Sequence, residues 1–341
     1  MNLADSIHAT HKIERQHIID AFEGHADLRK RATRLDDCAS HGKLFAQGNP
    51  PTVRLWIYRC CDRLCPLCSA QRSRKVADQL RAVMLTGQAT RHIVLTVRTD
   101  TDTTLAESLN HLRTSFAKLR RTPEWKEKIS GGAYVIEITR NPKDGRWHPH
   151  IHILARGVYF PLRLLSALWA GITTDSMNVW ITQANARHAN HLAKYAAKPP
   201  RLETWPVEAI QEYALATHGA RMVQTFGSFH ALKLEDSDRE PEPAENKVFM
   251  NLTSLRDQAA AGQPVAIVLA KAVAIRWPRL WQFLRTAIDI PPPPRLGDRK
   301  AELDHAQTTV DHICKYASFL FSPVPEQKKR RQGQLIGDMQ K

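Results

Sequence analysis

The chain is 341 residues long and carries 49 lysines and arginines against 34 aspartates and glutamates, a formal net charge of +15. That length can hold a sizeable core and two or more domains, and the basic excess is a footprint for polyanions, nucleic acid first among them. The most apolar window, Val265 to Ile275, contains Lys271 and runs into Arg276, and the charged N-terminus lacks an apolar signal core, so a cytoplasmic protein with no membrane partner is expected.

In chain order, residues 4–36 read as charged helix, and a cysteine-rich stretch at 60–68 leads to a helix from Lys75 to Leu85. His92 to Thr99 is a β-rich run, Leu105 to Arg121 an amphipathic helix, and 133–155 a hairpin. Pro161 suits the first turn of a helix reaching Ala170. Asn178 to Thr182 is a short strand, and Asn185 to Lys198 is a helix that Pro199-Pro200 cannot continue. This order favours an α+β fold in which a central antiparallel sheet carries helices on one face. Residues 236–246 form a charged linker, and 247–288 read as helical with Trp277, Trp281 and Phe283 in the core. Pro291 to Pro294 is a stiff spacer, and Lys328-Lys329-Arg330-Arg331 a basic tail. The expected division is 1–75 for helices and cysteine motif, 76–235 for the sheet domain, 236–246 for the linker and 247–341 for a helical C-terminal region.

Four of the six cysteines fall in Cys60-Cys61-Asp62-Arg63-Leu64-Cys65-Pro66-Leu67-Cys68, with Cys38 upstream and Cys314 remote. In a reducing compartment such spacing favours structural Zn²⁺ over a disulfide scaffold. Tetrahedral zinc needs four ligands, and Cys38, Cys60, Cys65 and Cys68 are the set chosen, with Cys61 and His41 as substitutes. A redox pair and buried free thiols are the competing readings.

Side chains alternate along a strand, so His148, His150 and His152 in Trp147-His148-Pro149-His150-Ile151-His152 share one face while Ile151 and Ile153 point to the other. Asn141-Pro142-Lys143-Asp144-Gly145-Arg146 is rich in turn formers. If Arg140 pairs with Trp147, Glu137 stands directly opposite His150 on the histidine face. Two imidazoles and a carboxylate suit Mg²⁺ or Mn²⁺ acting on phosphate oxygens. A register slip of one residue would turn Glu137 away. The plainer alternative is a set of solvated or core-satisfied histidines.

On the helix 185–198, His188, His191, Tyr195 and Lys198 lie along one side, beside an apolar stripe of Ala189, Leu192 and Ala196. A phenol is a weak nucleophile at its ordinary pKa, so Tyr195 needs a polarised phosphate and cations such as Lys194 and Lys198. The competing reading is a packing tyrosine beside solvated lysines.

Three ordered motifs, Ile93-Val94-Leu95-Thr96-Val97, Trp147-His148-Pro149-His150-Ile151-His152 and Ala193-Lys194-Tyr195-Ala196-Ala197-Lys198, resemble those of the HUH endonucleases, and among them the replication initiators of small rolling-circle plasmids. The stretch around Cys60, Arg63, Cys65-Pro66 and Cys68 is similar to the cysteine motif ahead of the first strand in that group, and Gln224-Thr225-Phe226-Gly227-Ser228 to the segment after its tyrosine. The likeness covers residues 35 to 235. It implies a metal-dependent nickase that joins Tyr195 to the 5′ phosphate of single-stranded or melted origin DNA and leaves a 3′ hydroxyl for a polymerase. A host helicase and a dimer are further partners it leaves open. Many relatives carry a glutamate one turn before the tyrosine. Here His191 stands there, able to act as a base in termination, with Tyr316 or a second protomer as alternatives. A transposase or relaxase using the same chemistry, and a non-catalytic zinc-containing DNA-binding regulator, are the competing function classes.

Overall fold

A computed structural model of the chain describes residues 2–49, 52–85, 91–185, 188, 202–230, 241–292 and 300–316. The first part of the chain forms α1 (Leu3–Ile7), α2 (Lys12–Glu23), α3 (Arg29–Asp36), β1 (Gly42–Gln47), β2 (Thr52–Ile57) and α4 (Pro66–Leu85). Next come β3 (Arg91–Thr96), α5 (Leu105–Leu119), α6 (Pro123–Lys128), β4 (Ile129–Arg140), β5 (Trp147–Gly157), α7 (Leu162–Thr173) and β6 (Val179–Gln183). After the helix Val207–Ala216 follow β7 (Val223–Gly227) and β8 (Val248–Asn251), then the helices Leu252–Ala260, Pro264–Arg276, Trp281–Leu284 and Lys300–Tyr316. Among the described residues no helix is long and apolar enough to cross a membrane.

The chain divides into two compact units, one of residues 2–40 and 58–241, the other of 41–57 and 242–341 with Met1. The first is built on a five-stranded sheet of order β6-β3-β5-β4-β7, and its neighbouring strands are all antiparallel. One face holds Ile93, Leu95, Ile136, Ile138, Ile151 and Ile153, β-branched and leucine side chains that suit a pleated surface. Against that side pack α5 and α7. Leu105, Leu109, Leu112, Phe116 and Leu119 repeat at helical spacing along α5 and are all buried. Each such fully buried side chain contributes about 1.5–3 kcal/mol. A capping box of Thr104 and Glu107 starts α5.

The other face is not bare. Val76, Ala77 and Leu80 of α4 form an apolar stripe that packs with Ala133, Val135, Leu154 and Val223. The expectation of helices on one face is corrected here: the strands of this sheet carry apolar residues on both sides at one end, and α4 covers the second set.

The hairpin register is the one the sequence favours, with Arg140 opposite Trp147 and Glu137 opposite His150. The turn closes it: Asn141 N–H donates to Arg146 O at 2.9 Å, the Asn141 side chain accepts from Lys143 N–H at 2.9 Å, and Gly145 takes φ +75. Gly132 must lack a side chain, because a Cβ there would lie 2.5 Å from Leu154 O.

The second unit joins the hairpin β1–β2 to β8 in the order β2-β1-β8, with Leu44 paired to Met250. Its edge strand β2 is covered by the helix Lys300–Tyr316, where Asp311 accepts from Val53 N–H at 2.6 Å and Gln307 donates to Val53 O at 3.2 Å. Sequence reasoning placed 42–57 within an N-terminal segment and made 247–288 wholly helical. The structure instead makes 42–57 two strands and Val248–Asn251 a third. Trp277 and Trp281 are partly buried and Phe283 is fully buried.

Candidate active site and metal centre

Cys38 follows α3, Cys60 ends the stretch after β2, Cys65 directly precedes α4, and Cys68 lies in the first turn of α4. Folding brings their four Sγ atoms to within 4.8 Å of one another, with every side chain buried. The sulfur separations are 3.8 Å for Cys38–Cys68, 3.7 Å for Cys60–Cys68 and 3.6 Å for Cys38–Cys65. Four Zn–S bonds of about 2.3 Å at tetrahedral angles place sulfurs about 3.8 Å apart, so the cluster fits zinc. A disulfide needs about 2.05 Å, and the cysteines are free thiols. Hydrogen bonding within the cluster, to Cys60 first, pulls the Cys38 thiol below its ordinary pKa, and the same bond raises that of Cys60.

The loop between the cysteines is fixed from outside. Asp62 accepts from Arg31 Nε at 2.8 Å and from a second Arg31 nitrogen at 3.1 Å, and it also takes Leu64 N–H at 2.9 Å. Arg31 donates in addition to Ala214 O at 2.8 Å. Of the substitutes, Cys61 stays out of the cluster and His41 belongs to the other unit. Cys61, at φ +54, turns its thiol toward Arg59 O, and His41 stands against the Trp56 ring at 5.6 Å.

On the α4 side of the sheet, β4 and β5 bring Glu137, His150 and His152 together. Glu137 Oε2 lies 2.7 Å from His152 Nε2, and the two rings of His150 and His152 are 6.5 Å apart. Burial first, with the neighbouring imidazoles, lowers the His150 pKa to about 4 against the pull of Glu137, so this ring is neutral near pH 7. Thr96 Oγ1 meets His150 Nδ1 at 3.1 Å, fixing the ring and leaving Nε2 for a ligand. Two imidazoles and a carboxylate are donor types that divalent cations take. Among the described residues, though, only the cysteines draw three or more ligand atoms so tightly together. His148 pairs with Thr139 one step nearer the turn on the same face.

Trp147, at the start of β5, donates its indole N–H to Glu212 at 2.8 Å, and the other Glu212 oxygen takes Leu105 N–H at 2.7 Å. One carboxylate thus ties the histidine strand to the N-terminus of α5. Three contributors were missed in the sequence. His92 of β3 shares the histidine face, its ring 5.7 Å from His152 and 4.4 Å from His188. Trp180 of β6 is on that face too, 63% exposed. Strand parity within 91–96 could have flagged His92. Glu212, by contrast, lies in a helix with no local cue. His191, Lys194, Tyr195 and Lys198 lie outside the described residues, as does the helix they were assigned to save Asn185 and His188.

With this geometry established, comparison places the chain among known sequences. Residues 54–163 match the family profile described as Replication protein, a span holding Cys60 to Cys68, the first strand and the histidine hairpin. The chain is 30% identical over 215 residues to a "Protein rep" of Lactiplantibacillus plantarum, covering 52% of this chain and 67% of that protein. It is 33% identical over 135 residues to a "Protein rep" of Bacillus amyloliquefaciens, covering 37% of this chain and 39% of that one. A "Protein rep" of a Bacillus species is 29% identical over 163 residues, covering 44% and 52%. The chain therefore spans about half or less of the two Bacillus proteins. No solved structure matches it.

Proposed function

The chain belongs to the Replication protein family of rolling-circle plasmid initiators, and from that premise we propose that it nicks and rejoins one strand of its origin DNA through a 5′-phosphotyrosine at Tyr195. The observation that carries this reading is the sheet face on which Glu137, His150 and His152 converge, with His150 neutral. His150, His152 and Glu137, with His148 nearby, are the residues to hold Mg²⁺ or Mn²⁺. Such an ion, when bound, supplies Lewis-acid polarisation of a phosphate oxygen.

The chain's own residues do the rest. Thr96 fixes the His150 ring, and Glu137 holds His152 in place. Lys194 and Lys198 grip the phosphate and favour the phenolate of Tyr195. The phenol gives up its proton, its oxygen bonds the phosphorus, and the 3′ oxygen leaves and takes up a proton. The strand then ends in a 3′ hydroxyl that a polymerase can extend. His191, one turn before Tyr195, serves as the base that readies the closing nucleophile. The cysteine cluster holds structural Zn²⁺ ahead of a nicking domain of residues 76–235. The region from 247 is left for origin, helicase or self contacts in the cytoplasm.

The test uses the full chain, Mn²⁺ and labelled single-stranded origin DNA. Wild type should form a covalent adduct, and Tyr195→Phe should lose it while still binding DNA, because only the nucleophilic oxygen is gone. Mapping the DNA-linked peptide to Tyr316 would overturn the assignment.

A further inference from the structure

Beside the cysteine cluster lies a cleft of about 410 Å³ whose lining includes Arg31, Arg34, Arg63, Arg72 and Arg221 against the single carboxylate of Asp62. Five guanidiniums and one carboxylate leave an excess of four positive charges in one small opening. Asp62 is committed to Arg31 through two hydrogen bonds. Arg63 donates to Ala220 O at 2.9 Å and Arg72 to Cys61 O at 3.3 Å, bonds that orient the two forks. Arg34 and Arg221 are exposed at the mouth.

Like charges gathered this way repel one another, whatever each arginine's own bonds contribute to folding. In a cleft with protein walls their field is focused, which raises the local concentration of an anion. The cation chosen is also informative. All five are arginine and none is lysine, and the planar guanidinium fork matches the paired oxygens of a phosphate where an ammonium offers only a point charge. We propose that this cleft is a phosphate-binding site, separate from the histidine face, that seats the phosphodiester backbone of a DNA strand.

The placement gives the site a use. Arg72 lies on α4 one turn before Val76, and Arg221 lies two residues before Val223 of β7. Val76 and Val223 pack in the cluster that covers the histidine side of the sheet. Backbone held in the cleft is therefore joined to that face through two rigid elements.

The proposal rests on the DNA-binding reading and is tested separately from it. The full zinc-loaded chain is titrated with a labelled single-stranded oligonucleotide at several salt concentrations, and in a second arm with inorganic pyrophosphate. Arg34→Ala with Arg221→Ala removes two phosphate contacts and should lower the slope of log K against log salt by about 1.4, at about 0.7 per single-strand phosphate. Arg34→Lys with Arg221→Lys should keep the slope, and Arg121→Ala with Lys126→Ala, exposed on α6 and just before it, should leave it unchanged. Zinc content and far-UV circular dichroism should match wild type in all of them. An unchanged slope in the alanine pair, with wild-type binding intact, overturns the proposal. Pyrophosphate binding that is lost in the alanine pair without any change in slope makes this a free-anion site and overturns the strand reading. A wild-type chain that binds no oligonucleotide overturns the DNA-binding reading itself.

Discussion

Trp180 offers a direct measure of whether single-stranded DNA crosses the histidine face. It sits on the edge strand β6 opposite Val94, and Val94 sits opposite His152, so the three share one face across adjacent strands. Two strand spacings put Trp180 about 10 Å from His152, within reach of a base whose phosphate lies at the histidines. Its indole is 63% exposed, so its loss removes little packing and Trp180→Ala should fold normally. Stacking of a base on an aromatic ring is worth about 1–3 kcal/mol, so the variant should bind a single-stranded oligonucleotide about 5 to 150 times more weakly. Trp180→Phe should recover most of that loss. Anisotropy of a labelled oligonucleotide reads the effect, and the salt slope should stay at the wild-type value because no phosphate contact is removed. An affinity for Trp180→Ala within twofold of wild type, or a changed salt slope, would refute the reasoning.

Asp62→Ala should destabilise the chain by about 3–5 kcal/mol in urea unfolding, because it strands the buried Arg31 charge; replacing both residues with leucine or methionine should recover much of it, and a single-variant loss below about 1 kcal/mol would contradict the buried-pair argument. Cys65→Ser should release zinc and lower the melting temperature, since structural zinc contributes folding free energy directly; elemental analysis that finds no zinc in active wild-type protein would end that reading. His150, with a folded pKa of about 4 against 6.5 in the unfolded chain, binds fewer protons folded than unfolded between those values, so its share of stability falls as pH drops from about 6.5 to 4. That share is about 3 kcal/mol, and His150→Phe should flatten stability across this window; a variant with the wild-type pH profile would show that His150 does not govern it.

How much of this was legible depended on whether the determining contacts were local. The hairpin register was readable because Asn141 to Arg146 supply turn chemistry and the histidines and isoleucines alternate, and together these favour the pairing of Glu137 with His150 that the structure shows. The grouping of the four cysteines was readable because thiols cluster in sequence, although Cys38 lies well upstream. The pairing of Leu44 with Met250 was not readable, since β1 and β2 are short and their partner is distant in the chain. The packing of α4 on the histidine side was missed for a related reason. A stripe of Val76, Ala77 and Leu80 says that a helix face is buried but not against what. Glu212 shows the same limit at one residue: it looks like surface helix until Trp147 and Leu105 are brought to it.

These placements also give the cysteine cluster a task beyond closing a loop. Cys65 immediately precedes α4 and Cys68 lies within its first turn, so thiolates formed there on binding a metal would stand where the helix presents its unpaired N–H groups and positive dipole end. Eight residues on, about 12 Å along the axis, Val76 begins the stripe that lies on the sheet, with Val135 of that stripe's contact set flanked by Glu137 two positions along the same strand. A helix is stiff over that length, so a metal that fixes its first turn also fixes where its apolar stripe meets the sheet. Arg31, bonded to both Asp62 in the cysteine loop and Ala214 in the helix Val207–Ala216, anchors the same loop from the other side. That helix in turn carries Glu212, which holds Trp147 at the head of the histidine strand. The cysteine loop is thus tied to both ends of the hairpin's surroundings, by α4 over one face and by Glu212 at the strand's start. A structural metal bound there would position the histidine face without contributing a ligand to it.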